Sequence, residues 1–290
     1  MSKSRDFVDG KANHFRIDPP RIGILAGGGP LPALVAESVT AQGGSVFIVG
    51  FEGFVDPDLI AHWPHGFYRL AAAGQIIRAL RDAGCRDIVL IGPVKRPALR
   101  DLKPDKEGAR LLARMGRAVF AGDDGLLGAI VRVLGEEGFN VRGAHEFLTQ
   151  ALGPKGVLTR LSPSSDDAQD IRHAVEVVKA LGRLDIGQGC VVQSGLVLAV
   201  EALEGTDAML QRCAALRQPG PGGILLKMLK PGQEKRADMP TIGPRTIELA
   251  AESGLAGIAY QADAVLFTDL AQCVAEANAR RLFLMGIEPL

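Results

Sequence analysis

Residues 226–244, LKMLKPGQEKRADMPTIGP, hold the densest set of side chains able to do chemistry. Four cations (Lys227, Lys230, Lys235, Arg236) and a single aspartate, Asp238, lie in a polar stretch punctuated by Pro231, Pro240 and Pro244. A solvated surface loop accounts for scattered charge. It accounts less well for prolines that stiffen the loop around one aspartate. Cations that neutralise phosphate charge, with a carboxylate that orients water, are what cleavage of a diphosphate requires. Lys227 and Lys230, three apart on a strand-like run, are expected to point to opposite faces.

A second acidic group, Glu201, Glu204 and Asp207, follows the apolar run LVLAV and precedes a helical pattern. Carboxylates where a strand leaves the core suit Mg²⁺, a hard ion that takes oxygen ligands; helix capping by Asp207 is the plain alternative. The turn Gly27-Gly28-Gly29 lies between a strand pattern and a helix pattern, where backbone amides and the helix dipole can hold a phosphate. It departs from the GxGxxG fingerprint because Pro32 stands where the last glycine belongs, and no GxxxxGK[ST] loop exists. Glu52, ending the next strand pattern, occupies a place where a ribose is often bonded. Asp123 and Asp124 precede an apolar helix and read first as caps, which the helix dipole favours, with metal or substrate contact the alternative. Asp166, Asp167 and Asp170 suit the start of a solvated helix. The histidines form no HxxxH pair, and Ser194 is not in a GxSxG elbow.

The elements that must position these groups alternate. Apolar runs at 22–26, 45–50 and 87–92, with a shorter one at 66–70, are separated by helical patterns at 31–41 and 74–84. That alternation predicts right-handed crossovers in a parallel, doubly wound sheet, an α/β Rossmann-like domain over residues 21–150. Further helices are expected near 107–120 and 125–137, with a strand beginning about 139. Glycine and proline breaks across 149–165 read as a linker. Residues 151–290 then read as a mixed α+β catalytic domain: a helix at 166–181, a hairpin about Ser194-Gly195, a helix at 205–217, a strand through GILLKMLK, a helix at 244–253, a second hairpin in GIAYQADAVLF, and a closing helix at 269–280.

Composition narrows the function classes. With 33 basic and 33 acidic residues the formal net charge is zero, so no global field draws the chain to nucleic acid. Cys85, Cys190, Cys213 and Cys273 are far apart and read as reduced, buried thiols. No apolar run approaches the length needed to span a bilayer. Residues 1–20 lack the apolar core of a secretory signal and read as a disordered or appended extension. A cytoplasmic protein is expected.

The segments ILAGGGPLP (24–32), GDDGLLGAI (122–130), LDIGQGCVV (184–192), LVLAVEALEGTDAML (196–210) and KPGQEKRADMPTIGPRTIE (230–248) occur in that order. Together they resemble the LpxI type of UDP-2,3-diacylglucosamine pyrophosphatase, over essentially all of the chain after residue 20. The resemblance implies Mg²⁺-dependent hydrolysis of UDP-2,3-diacylglucosamine to UMP and 2,3-diacylglucosamine 1-phosphate (lipid X), a step of lipid A synthesis, with water directed at the β-phosphorus. It implies that Asp238 is the essential aspartate, ligating Mg²⁺ or orienting water, with Asp207 and Glu204 as further metal ligands. Lys230 and Arg236 are expected to neutralise diphosphate charge. Gly27, Gly28, Gly29, Gln188, Thr206, Lys227, Gln233 and Thr241 are expected to contact substrate. A lipid substrate further implies transient contact with the inner membrane from the cytoplasmic side, and a homodimer is compatible with these features. Two other classes stay open: a non-catalytic nucleotide- or lipid-binding regulator using the same cleft, and a dinucleotide-dependent oxidoreductase.

Overall fold

The apolar run after Arg21 forms β1 (Arg21–Ala26), buried from its second residue onward. The chain turns through the three glycines into α1 (Leu31–Ala41), with proline at the helix start, where a missing N–H is harmless. There follow β2 (Ser45–Phe51), α2 (Pro57–Ile60), β3 (His65–Tyr68), α3 (Ala73–Asp82), β4 (Asp87–Ile91), α4 (Lys106–Met115), α5 (Asp123–Glu136) and β5 (Asn140–Arg142). The computed structural model describes residues 21–95, 102–120 and 122–288, so the extension at 1–20 lies outside the described residues. All pairings among the first five strands are parallel, in the order β3-β2-β1-β4-β5. Alternate residues of β1, β2 and β4 feed two cores. Ile22, Ile24, Ile48 and Val89 pack on one face, and Leu25, Val49 and Ile88 on the other, there against Leu80 of α3. That two-sided burial is why these strands read as continuous apolar runs.

The glycine turn closes tightly on the end of β4. The Gly27 amide donates to Ile91 O at 2.9 Å and the Gly28 amide to Pro93 O at 3.0 Å. A Cβ on Gly27 would stand 2.4 Å from the Gly92 carbonyl oxygen, a backbone atom that cannot swing away. Gly27→Ala is therefore expected to destabilise the chain by about 1–3 kcal/mol, the usual cost of overpacking. Urea unfolding checks this, and a midpoint within error of wild type would contradict the packing described.

The second half comprises β6 (Gly156–Val157), α6 (Ser165–Arg183), β7 (Gly189–Gln193), β8 (Leu196–Val200), α7 (Gly205–Cys213), β9 (Ile224–Lys227), β10 (Thr241–Ile242), α8 (Pro244–Glu252), β11 (Gly257–Gln261), β12 (Leu266–Phe267), α9 (Leu270–Ala279) and β13 (Phe283–Ile287). Its main sheet is mixed, in the order β6-β13-β11-β9-β7-β8. One face buries Val191, Leu225, Ile258 and Leu284 beneath α7, α8 and α9, and the other buries Cys190, Ile224 and Leu226 beneath α6. Ser164 caps α6 in a capping box with Asp167. Asp170, 6% exposed, accepts from the Ser194 and Gly195 amides at 2.7 Å each and so fixes the β7–β8 turn. All four cysteines are buried free thiols, as expected.

Three readings are corrected. GIAYQADAVLF is not a hairpin: β11 pairs in parallel with β9 and β13, while β12 pairs in parallel with β10 in a separate two-stranded sheet. Asp263, at φ +54°, turns the chain away instead of folding it back. The last helix does not close the chain, because β13 follows it and is buried against β11. The strand through GILLKMLK ends at Lys227, so Lys230 lies beyond the pleat that was expected to separate it from Lys227. Between the two sheets, Leu266 of β12 joins the core around Leu31 and Leu148 of the first half, with Met239 packed beside it. Ala237 packs against the other face's cluster, around Leu134 and Val141. The loop carrying Asp238 is thus wedged against the first half of the chain.

Candidate active site

After β9 the backbone is fastened at successive points. Met228 N donates to Gln188 O (3.0 Å) and Leu229 N to Gln261 Oε1 (3.1 Å). Gln233 N donates to Lys230 O (3.1 Å), Ala237 N and Asp238 N both donate to Glu234 O, and Leu266 N donates to Pro240 O (2.9 Å). Asp238 sits at the centre of this framework. Its Oδ2 accepts from Gln233 Nε2, and the same amide donates to Gln188 Oε1 at 3.3 Å. Gln233 Oε1 accepts from Lys230 N at 2.9 Å. Gln233 is therefore occupied on both ends. Burial pushes the Asp238 carboxyl above the usual carboxylate range; the Gln233 bond and the charges of Lys230 and Lys227 oppose that rise, and Asp123 adds to it.

Two ammonium groups act on this carboxylate through their charge, each held on its own partners. Lys227, only 4% exposed, donates to Thr206 Oγ1 (2.7 Å) and to Thr241 O (3.2 Å). Thr206 in turn donates to Glu201 Oε1 at 2.6 Å, while Glu201 Oε2 is buried without a hydrogen-bond partner among the described residues. Lys230 pairs with Asp185 at 2.6 Å and with Asp124 of α5 at 2.9 Å, the second contact crossing from one half of the chain to the other. Burial alone would lower the Lys230 ammonium, but its hydrogen bonds to Asp185 and Asp124 outweigh it and hold the group above its ordinary value. Burial, together with Asp185 and Asp238, raises the Asp124 carboxyl despite its pairing with Lys230.

Of the residues expected from sequence, the structure brings together Asp238, Lys227, Lys230, Gln188, Gln233, Thr206 and Thr241. Arg236 instead folds back on Glu234, with contacts of 2.8 and 2.6 Å, and is largely exposed. Glu204 accepts from Arg212 at 2.7 Å, and Asp207 is exposed in the first turn of α7. The amides of Gly27 and Gly28 are spent on the end of β4. Glu52 lines a shallow hollow with Phe54, Arg69 and Leu102. Asp185 went unread in the sequence; its signal was an aspartate set between apolar residues just past a helix.

Among the described residues no three His, Cys, Asp or Glu side chains converge as a metal cage. Mg²⁺ commonly takes one or two carboxylates and fills its remaining positions with water and substrate phosphate oxygens. Asp238 and Asp124 supply donors of that kind. Asp124 Oδ1 is buried, pairs with Lys230 Nζ at 2.9 Å and has no further polar partner among the described residues. The donor chemistry fits a magnesium ion shared with a phosphate ligand.

Two carboxylates, two buried ammonium groups and paired amides between two α/β domains are the equipment of a phosphate-handling hydrolase. Two family models match the chain, the LpxI N-terminal domain over residues 21–151 and the LpxI C-terminal domain over residues 154–285. The UDP-2,3-diacylglucosamine pyrophosphatase LpxI of Caulobacter vibrioides is 41% identical over 275 residues, covering 93% of this chain and 98% of that protein. The chain belongs to the LpxI family.

Proposed function

We infer that this chain hydrolyses the diphosphate of UDP-2,3-diacylglucosamine, a step of lipid A biosynthesis, to give UMP and 2,3-diacylglucosamine 1-phosphate. The observation that carries the reading is Asp238, desolvated and oriented by Gln233, within the electrostatic influence of the Lys227 and Lys230 ammonium groups, which are themselves paired with other partners. In the proposed mechanism Asp238 orients the attacking water toward the β-phosphorus and takes up its proton. Lys227 and Lys230 stabilise charge that grows on the diphosphate oxygens, and removing such a contact commonly costs about 10²–10³-fold in rate. The amide N–H groups of Gln188, whose carbonyl is engaged by Gln233, are directed to substrate. Mg²⁺ would be held by Asp238 and Asp124 and would supply charge neutralisation at the phosphates. The order β3-β2-β1-β4-β5 supports a Rossmann-like reading of the first domain, with the uridine nucleotide on that side. A diacylated substrate also requires a peripheral visit to the membrane surface. No helix among the described residues is long and apolar enough to cross a membrane.

The test is turnover of UDP-2,3-diacylglucosamine in H₂¹⁸O with Mg²⁺ or EDTA, read by mass spectrometry. The expected result is metal-dependent UMP release with ¹⁸O on the lipid phosphate. Label on UMP would overturn attack at the β-phosphorus. Full activity in EDTA would overturn the metal, and a folded chain without turnover would overturn the reaction.

A further inference from the structure

Asp185 follows α6 in the left-handed region, at φ +53°, where a residue other than glycine is uncommon. Its carboxylate reaches in two directions. Oδ1 accepts from Lys230 Nζ at 2.6 Å, and Oδ2 accepts from the backbone amide of Asp124 at 3.3 Å. Asp124 is the second residue of α5, and the N-cap of that helix is Gly122, which has no side chain to offer. A first-turn amide that a capping side chain would ordinarily satisfy is therefore satisfied from the other domain. Gly122 could carry no side chain here, since a Cβ would stand 1.9 Å from Asp185 Oδ2. Glycine at 122 and aspartate at 185 are two halves of one device.

We propose that Asp185 is a positioning residue: it caps α5 across the domain boundary and, with the same carboxylate, fixes the Lys230 ammonium relative to Asp238. This rests on the reading of Lys230 as a diphosphate contact. Lys230 is 8% exposed and has only Asp124 as its other carboxylate partner among the described residues. Loss of Asp185 leaves the ammonium attached to α5 alone, and α5 loses its cap in the same step. Misplacement of such a group by a fraction of its length lowers the rate of the chemical step more than it weakens binding.

The two roles separate in a pair of variants. Asp185→Gly suits the left-handed backbone but loses both contacts. It is expected to lower the thermal midpoint and to reduce kcat by about tenfold or more, with a much smaller change in KM. Adding Gly122→Ser, for which the space is now free, gives α5 a cap of its own. The double variant is expected to recover the midpoint while kcat stays depressed. Recovery of kcat together with the midpoint would reduce Asp185 to a cap and overturn the proposal. An activity-independent readout keeps the two readings apart: acylation of Lys230 by an amine reagent, followed by mass spectrometry. Asp185→Gly is expected to raise labelling of Lys230 several-fold while Lys227 stays protected. If the wild-type chain proves inactive, the reaction assigned above fails; unchanged protection of Lys230 in the variant would overturn the role of Asp185 by itself.

Discussion

Asp238→Asn is expected to fold like the wild type and to turn over UDP-2,3-diacylglucosamine about 10²–10⁴-fold more slowly, the range for a side chain that handles a proton in the transition state. Asparagine keeps the shape of the side chain, and its oxygen can still accept from Gln233. It removes the one feature the chemistry needs, a negative carboxylate within the field of the two lysines. Burial already disfavours that charge and raises the Asp238 pKa, so neutralising it leaves stability unchanged or slightly higher. Steady-state UMP release, measured beside thermal unfolding of the same preparations, gives both numbers. A folded variant with near-normal turnover would take Asp238 out of the chemistry.

The largest loss of stability is expected from Lys227→Met. Lys227 and Glu201 stand 3.8 Å apart with side chains 4% and 8% exposed, bridged by the Thr206 hydroxyl. Methionine matches the stem of lysine but leaves Glu201 buried with Thr206 as its hydrogen-bond donor. Removing one partner of a buried pair costs about 3–5 kcal/mol, because the other charge is stranded. The companion variant Lys227→Met/Glu201→Gln removes both charges and is expected to regain most of that stability while turnover stays low. Urea unfolding of the two variants distinguishes a stranded carboxylate from simple loss of packing. Equal midpoints for the single and double variants would show that Glu201 does not depend on Lys227.

Much of the first domain was legible because its strands are buried on both sides and its helices are amphipathic, so period and run length carry the signal. α1 and β2 begin where the pattern begins, and β1 one residue before it, at the exposed Arg21. The second sheet was harder. β13 spans five residues, and β6, β10 and β12 only two each, so their pairing depends on partners distant in sequence. Parallel pairing of β11 with β13 across α9 leaves no turn signature to read. In the site, Asp238 and Lys230 were legible as types in a proline-stiffened loop. Their geometry was not: the pleat rule that set Lys227 against Lys230 fails once the strand stops between them. Asp207, Glu204 and Arg236 have the right chemistry in the right segments, yet the Arg236 side chain is taken up by Glu234, Glu204 by Arg212, and Asp207 faces solvent. The role of Asp185 could not be read because its partners lie 61 and 45 positions away.

The many fastenings along residues 228–240 have a consequence for the thermodynamics of association. Fixing one residue of backbone costs about 1–2 kcal/mol of conformational entropy. Here that loss is incurred when the chain folds, before any ligand arrives. Binding is then expected to show little entropic penalty from loop ordering, and its rate should follow encounter and lipid delivery more than a slow rearrangement of the loop.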